Sequence, residues 1–207
     1  AAAVGESLNV AIGSAAMSAV DEGAGGGDAD FNIGIGYNAL LGGDFTSYDL
    51  QLQGNIAIGA YALDGTGANG QTGTIAIGHQ SLSALTTGAG NTAVGYQSGQ
   101  DLVNNGQNSF FGYQSGLDVT GAANTLIGYQ AGESITTGQD NTVIGKGTAM
   151  GADVDGNVAI GYSAMRGDGT VEADNCVVIG YNAMGGGTYT TGANGTVAFG
   201  KDALTAL

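Results

Sequence analysis

The chain has no proline and no tryptophan, one cysteine, one histidine and three basic residues in 207, and most of these shortages remove a class of protein. A collagen-like triple helix needs abundant proline and glycine at every third place, whereas the 42 glycines here recur at a much longer period. A lone Cys176 cannot close an internal disulfide or build a thiolate metal site, and reads as a small buried apolar side chain. Lys146, Arg166 and Lys201 face 18 acidic residues, for a net charge of −15. That balance repels phosphate backbones and anionic lipid, so no nucleic-acid or membrane-surface partner is expected. No apolar run is long enough to cross a bilayer, and no basic stretch followed by an apolar one opens the chain. Charged residues are only 10% and hydrophobic residues 43%, which also excludes the charge-rich disordered class.

What the chain does have is a repeat. One short motif occurs eleven times, centred on Gly13, Gly36, Gly59, Gly78, Gly95, Gly112, Gly128, Gly145, Gly161, Gly180 and Gly200. Its clearest copies are NTAVGYQSG (Asn91 to Gly99), NTLIGYQAG (Asn124 to Gly132) and NVAIGYSAM (Asn157 to Met165). The regular array runs over 73–165 at 16 or 17 residues per copy, and longer insertions fall at 18–31, 41–54 and 64–73. A period of this size is the mark of a stacked architecture in which each copy is one turn of a coil.

The columns of the repeat specify that turn. The residue before the glycine is always large and apolar, from Ile12 and Ile35 to Ile179 and Phe199, and reads as a core ladder. The third residue before it is β-branched or Ser, as in Val10, Ile33, Thr92, Thr125 and Thr142; by period two it points the same way. The third residue after the glycine is small throughout (Ala16, Ala39, Ser81, Ala131, Ala203). Another backbone must approach there, either the opposite wall of the coil or a neighbouring subunit. The Asn opening eight copies (9, 32, 55, 91, 108, 124, 141 and 157) suits a turn, where it bonds nearby backbone and tolerates positive φ. Strings such as TTGAGN and TTGQDN connect the copies. The expected structure is a single repeat domain over 1–207, a parallel β-solenoid of about eleven short rungs, rising about 50 Å at one strand spacing per rung. With so few residues per turn one coil buries little apolar area, and partner coils would supply the rest.

These repeats resemble the head repeats of trimeric autotransporter adhesins of the YadA type, whose hallmark is a recurring S/N-x-A-I-G core. The form NT-x-I-G-Y-Q-[AS]-G is still more similar to repeats of phage tail fibres. The resemblance extends from Asn9 to Leu204 and implies a left-handed parallel β-roll packed as a homotrimer. It also implies an extracellular setting, on a virion fibre or a bacterial surface, and a role in attachment to a glycan or protein receptor. The period is longer near the N-terminal end than in those heads, which places GGGDADF (Gly25 to Phe31) and GGDFTSYDLQLQG (Gly42 to Gly54) in loops suited to contact. The chain is expected to be a segment of a longer fibre.

Apparent catalytic motifs dissolve in the repeat. Gly65 to Gly70 spells GxGxxG and Gly34 to Ala39 spells GxGxxA, but dinucleotide binding requires a following helix whose N-terminus holds the pyrophosphate. The GKGT of Gly145 to Thr148 is the repeat with Lys146 in a variable place. His79 occupies the position after the motif glycine, where six copies carry Tyr37, Tyr96, Tyr113, Tyr129, Tyr162 and Tyr181. It therefore reads as a substitution in a ladder, and no nucleophile, base and orienting acid are grouped elsewhere. The chain reads as no enzyme; a polysaccharide-cleaving solenoid would need a paired set of acids, which these dispersed ones do not form. The tyrosine column is the candidate surface site, either stacking on itself or binding a glycan. Acids gather in connections: Asp21 and Glu22, Asp28 and Asp30, Asp153 and Asp155, Glu172 and Asp174. Asp28 to Asn32 and Asp153 to Asn157 resemble the start of calcium loops without completing one. No cofactor is expected, with weak Ca or Mg binding by acidic turns left open. The alternative class is a ligand-binding solenoid, for cations or ice, although Thr92, Thr125 and Thr142 are too few for a regular threonine array.

Overall fold

The computed structural model describes residues 8–20, 29–42, 51–67, 69–148, 151–166, 173–185 and 193–205. Two compact units divide the chain, 1–107 and 108–207. Both are all-β coils in which every motif glycine is preceded by a three-residue strand. The first unit stacks β1 (Val10–Ile12), β2 (Ile33–Ile35), β4 (Ile56–Ile58), β6 (Ile75–Ile77) and β7 (Thr92–Val94). All these pairs are parallel and in register, each residue beside its counterpart one repeat away. A second wall carries β3 (Leu52–Gln53) paired with β5 (Gln71–Thr72). The second unit stacks β8 (Ser109–Phe111), β9 (Thr125–Ile127), β10 (Thr142–Ile144), β11 (Val158–Ile160), β13 (Val177–Ile179) and β15 (Val197–Phe199) in the same way. There β12 (Met165–Arg166) pairs with β14 (Met184–Gly185) on another wall. Among the described residues no α-helix occurs and helical backbone is confined to short 3₁₀ stretches such as Asp64–Thr66, so neither glycine motif opens an α-helix. The solenoid expected from the repeat is the observed fold.

The phase of the strands is the reverse of the expectation. In β4, β6 and β7 the central residue is buried and its two neighbours are not. The interior therefore holds the residue two before the glycine: Ala57, Ala76, Ala93, Phe110, Leu126, Val143, Ala159 and Val178 are at or near zero exposure. The large apolar column immediately before the glycine faces outward, with Ile127 38% and Ile144 37% exposed, and the β-branched column, including Thr92, Thr125 and Thr142, shares that outer face. Period two was legible, but a one-residue shift of phase exchanges the faces. The true core is built from the small central column and from Leu40, Leu63, Leu82, Leu85, Leu102, Val119, Ile135, Val154, Met165 and Met184 in the far walls.

Two columns hold successive turns together. The small column three after the glycine lies inside its own coil, nine of its eleven members being buried; Ser115 Oγ there donates to the Leu126 carbonyl at 2.7 Å. The asparagines are also interior. Asn124 Oδ1 accepts the Asn141 N–H at 3.1 Å, and Asn124 Nδ2 donates to the Gly138 carbonyl at 2.9 Å; Asn55, Asn108 and Asn157 repeat parts of this scheme. Positive φ falls on the residue before the asparagine, as at Ala123 (58°) and Asp140 (57°), and not on the asparagine as the sequence suggested. Buried amides bonded on both sides tie rung to rung and give backbone groups at the corner their partners.

The motif glycine is fixed by its neighbour in the next turn. At φ +138°, a Cβ on Gly128 would lie 2.5 Å from the Gly145 carbonyl oxygen. Any side chain would both strain the backbone and drive adjacent rungs apart.

Candidate interaction face

The outer face of each unit is three columns wide. Two are the outward strand positions just described, and the third is the position after the glycine. None of the 18 acidic residues falls in any of the three columns, while two of the three basic residues and the sole histidine fall in the third. A sheet face that is apolar, regular and free of acid on a chain of charge −15 is the surface feature that stands apart from the rest of the molecule.

The third column carries the predicted tyrosines, and the structure brings them into contact within each unit. Tyr113 stacks on Tyr129 with centroids 5.2 Å apart and planes 7° from parallel, and Tyr162 stacks on Tyr181 at 5.3 Å. In the first unit Tyr37 meets the edge of Tyr61 at 5.2 Å, and His79 lies flat against Tyr96 at 5.3 Å. Tyr61 escaped the sequence reading because it stands one place beyond the column, after Ala60; an aromatic beside a gap in an aromatic column is the signal that would have found it. Lys146 Nζ sits 5.2 Å from the Tyr129 centroid and Lys201 Nζ 5.9 Å from that of Tyr181, both within cation–π range. Neighbouring rings and ammonium groups thus cover part of the column, while its six tyrosines remain 43–52% exposed.

The acidic corners bond locally. Asp153 Oδ1 accepts the Thr137 hydroxyl at 2.9 Å, Asp155 Oδ1 accepts the Gln139 N–H at 2.8 Å, and Asp174 Oδ1 accepts the Asp155 N–H at 3.0 Å. Among the described residues no three His, Cys, Asp or Glu side chains are grouped to hold a metal ion. Asp21, Glu22, Asp28 and Glu172, with residues 21–28 and 43–50 of the predicted contact loops, lie outside the described residues. Cys176 is buried in the place of an interior asparagine and its thiol points to the Ala193 carbonyl, 3.1 Å away. Desolvation by burial is the main cause that pushes this thiol above its ordinary value, so it stays protonated and poorly nucleophilic near neutral pH. Asp64, at the 3₁₀ turn, is raised likewise by burial, against a lowering contribution from its own backbone N–H. No family model, curated protein or solved structure matches the chain.

Proposed function

We propose that the chain is a non-enzymatic structural segment of an extracellular trimeric fibre, of a virion or a bacterial surface, that serves attachment. The observation that carries this reading is the outward apolar face. Ile127 and Ile144, held 38% and 37% exposed, would each contribute about 1 kcal/mol on covering the remainder of the side chain, and the half-buried isoleucines of the same column somewhat less. Summed along the column this is on the order of 10 kcal/mol per chain, the same order as the freedom lost on association. The second outer column then decides in favour of assembly. Three identical faces turned towards one axis cover all three at once, and a cyclic homo-oligomer closes without leaving a copy of the face exposed. The repeat's resemblance to trimeric surface fibres supports the same state.

Light scattering on the purified chain tests this directly. The expected mass is three times 20.1 kDa, reduced to one chain by Ile127→Asp with Ile144→Asp, which place charge on the outer face and leave the interior untouched. A wild-type chain that remains monomeric at all concentrations would overturn the trimeric reading.

A further inference from the structure

A repetitive apolar face gives partners little guidance on direction, because a stack of near-identical rungs offers almost the same ladder read upward or downward. The second unit carries an asymmetry that resolves this. Each strand there is bracketed by two corners, one just before the interior asparagine and one just after the glycine. The leading corner bears exposed Asp140 and Asp155 and half-buried Asp174 on successive turns. The trailing corner bears exposed Lys146 on the turn of Asp140 and exposed Lys201 one turn beyond that of Asp174. Lys146 forms no ion pair among the described residues and rests on Tyr129 instead, while Lys201 lies 3.6 Å from Asp202 Oδ2. The strand separates the two corners: five residues intervene between Asp140 and Lys146, a span of roughly 20 Å in extended chain, beyond direct pairing within one copy.

We infer that the Lys146 flank of one copy pairs with the Asp140 and Asp155 flank of a second copy, and that this pairing favours the cyclic, parallel assembly over an antiparallel pair of copies. The inference rests on the self-association proposed above. When copies pack around an axis parallel to the strand stack, the leading flank of each meets the trailing flank of the next, and acid meets base. When they pack antiparallel, like flank meets like flank, and the acidic corner of one copy faces the acidic corner of the other. The first arrangement is electrostatically complementary and the second is repulsive, so the charges select direction while the apolar columns supply affinity.

Cysteine crosslinking distinguishes the arrangements. In a Cys176→Thr background, which uses a residue type already found in that interior column at Thr74 and Thr196, the chain carrying both Asn175→Cys and Tyr181→Cys, exposed places equivalent to Asp140 and Lys146 two turns further on that leave both charges intact, is oxidised and run on a denaturing gel. Covalent trimers from this chain, and none from either single-cysteine chain, are expected. Covalent dimers from a single-cysteine chain would mean that like flanks meet, and would overturn the inference. So would the absence of crosslinking in the double variant. A charge swap gives a second reading: Lys146→Asp alone is expected to weaken assembly about tenfold, and Lys146→Asp combined with Asp140→Lys and Asp155→Lys to restore it. A swap that fails to restore assembly also overturns the inference. A wild-type chain found monomeric by light scattering defeats the trimeric reading and this inference together; a wild-type trimer with the wrong crosslinks defeats only this one.

Discussion

At the scale of single residues, the coil is governed by positions where one atom more would not fit or one polar group less would leave a gap. The asparagine column shows which of these the sequence revealed. Its recurrence pointed to a corner, but the amide's role as an interior tie was hidden, because an Asn bonding its own turn and one bonding the next turn look alike in one dimension. Cys176, by contrast, was read as buried from its isolation alone, and it is buried. Asp64 offers a test with a definite sign. Its pKa is raised mainly by burial, so its contribution to stability is fully present below the ordinary carboxylate value, about 4, and is lost as pH rises through its higher folded value. Asp64→Asn removes the charge that burial penalises. Thermal melts should place the variant above the wild type at pH 7, with the gap closing as pH falls towards 3; equal melting temperatures at neutral pH would show that the buried charge costs nothing.

At the scale of the element, the residue two before the glycine and the residue four after it share the interior of one turn, and in most turns their sizes trade off, Ala93 with Gly99 and Val178 with Met184 being the exceptions. Gly34 accompanies Leu40, Ala57 Leu63, Ala76 Leu82 and Ala159 Met165, whereas Phe110 accompanies Gly116 and Leu126 accompanies Gly132. The contact is direct: a Cβ on Gly132 would lie 2.7 Å from Leu126 Cδ1. Leu126→Ala alone should therefore cost about 2–5 kcal/mol through the cavity it leaves, and Gly132→Leu alone about 1–3 kcal/mol through overpacking. The pair together should recover most of the loss, because Leu82 already occupies the equivalent place at φ 50°. Urea titrations of the four chains check this; simple additivity of the two losses would mean that the two positions do not share a volume. This exchange also explains why the phase of the strand was misread. The inner column is small or variable because the coil is narrow and a partner wall fills it, while the outer column is uniformly large. Size and constancy suggested a core, and nothing in a sequence separates a face buried in its own coil from one left for another chain.

At the scale of the whole molecule, fold and assembly should answer to salt in opposite ways. The coil carries 18 acids against three basic residues, and some of these acids occupy the same corner of successive turns, as Asp155 and Asp174 do. Like charges about one strand spacing apart repel over most of a Debye length at low ionic strength, which is roughly 10 Å at 0.1 M and 3 Å at 1 M. Added salt should relieve that repulsion and stabilise the coil. The proposed Lys146 seam is attractive and exposed, so the same screening should weaken it. The two responses separate in the Ile127→Asp, Ile144→Asp chain, in which the fold is present without the expected assembly. Its urea midpoint should rise from low salt to about 0.5 M NaCl, while the crosslinking yield through the lysine flank of the otherwise unaltered face falls over the same range. A midpoint that stays flat would mean that the acidic corners are already neutralised, by bound cations or by their local hydrogen bonds, and titration with calcium at low salt would then tell these apart: a midpoint raised by micromolar calcium identifies bound cations as the cause.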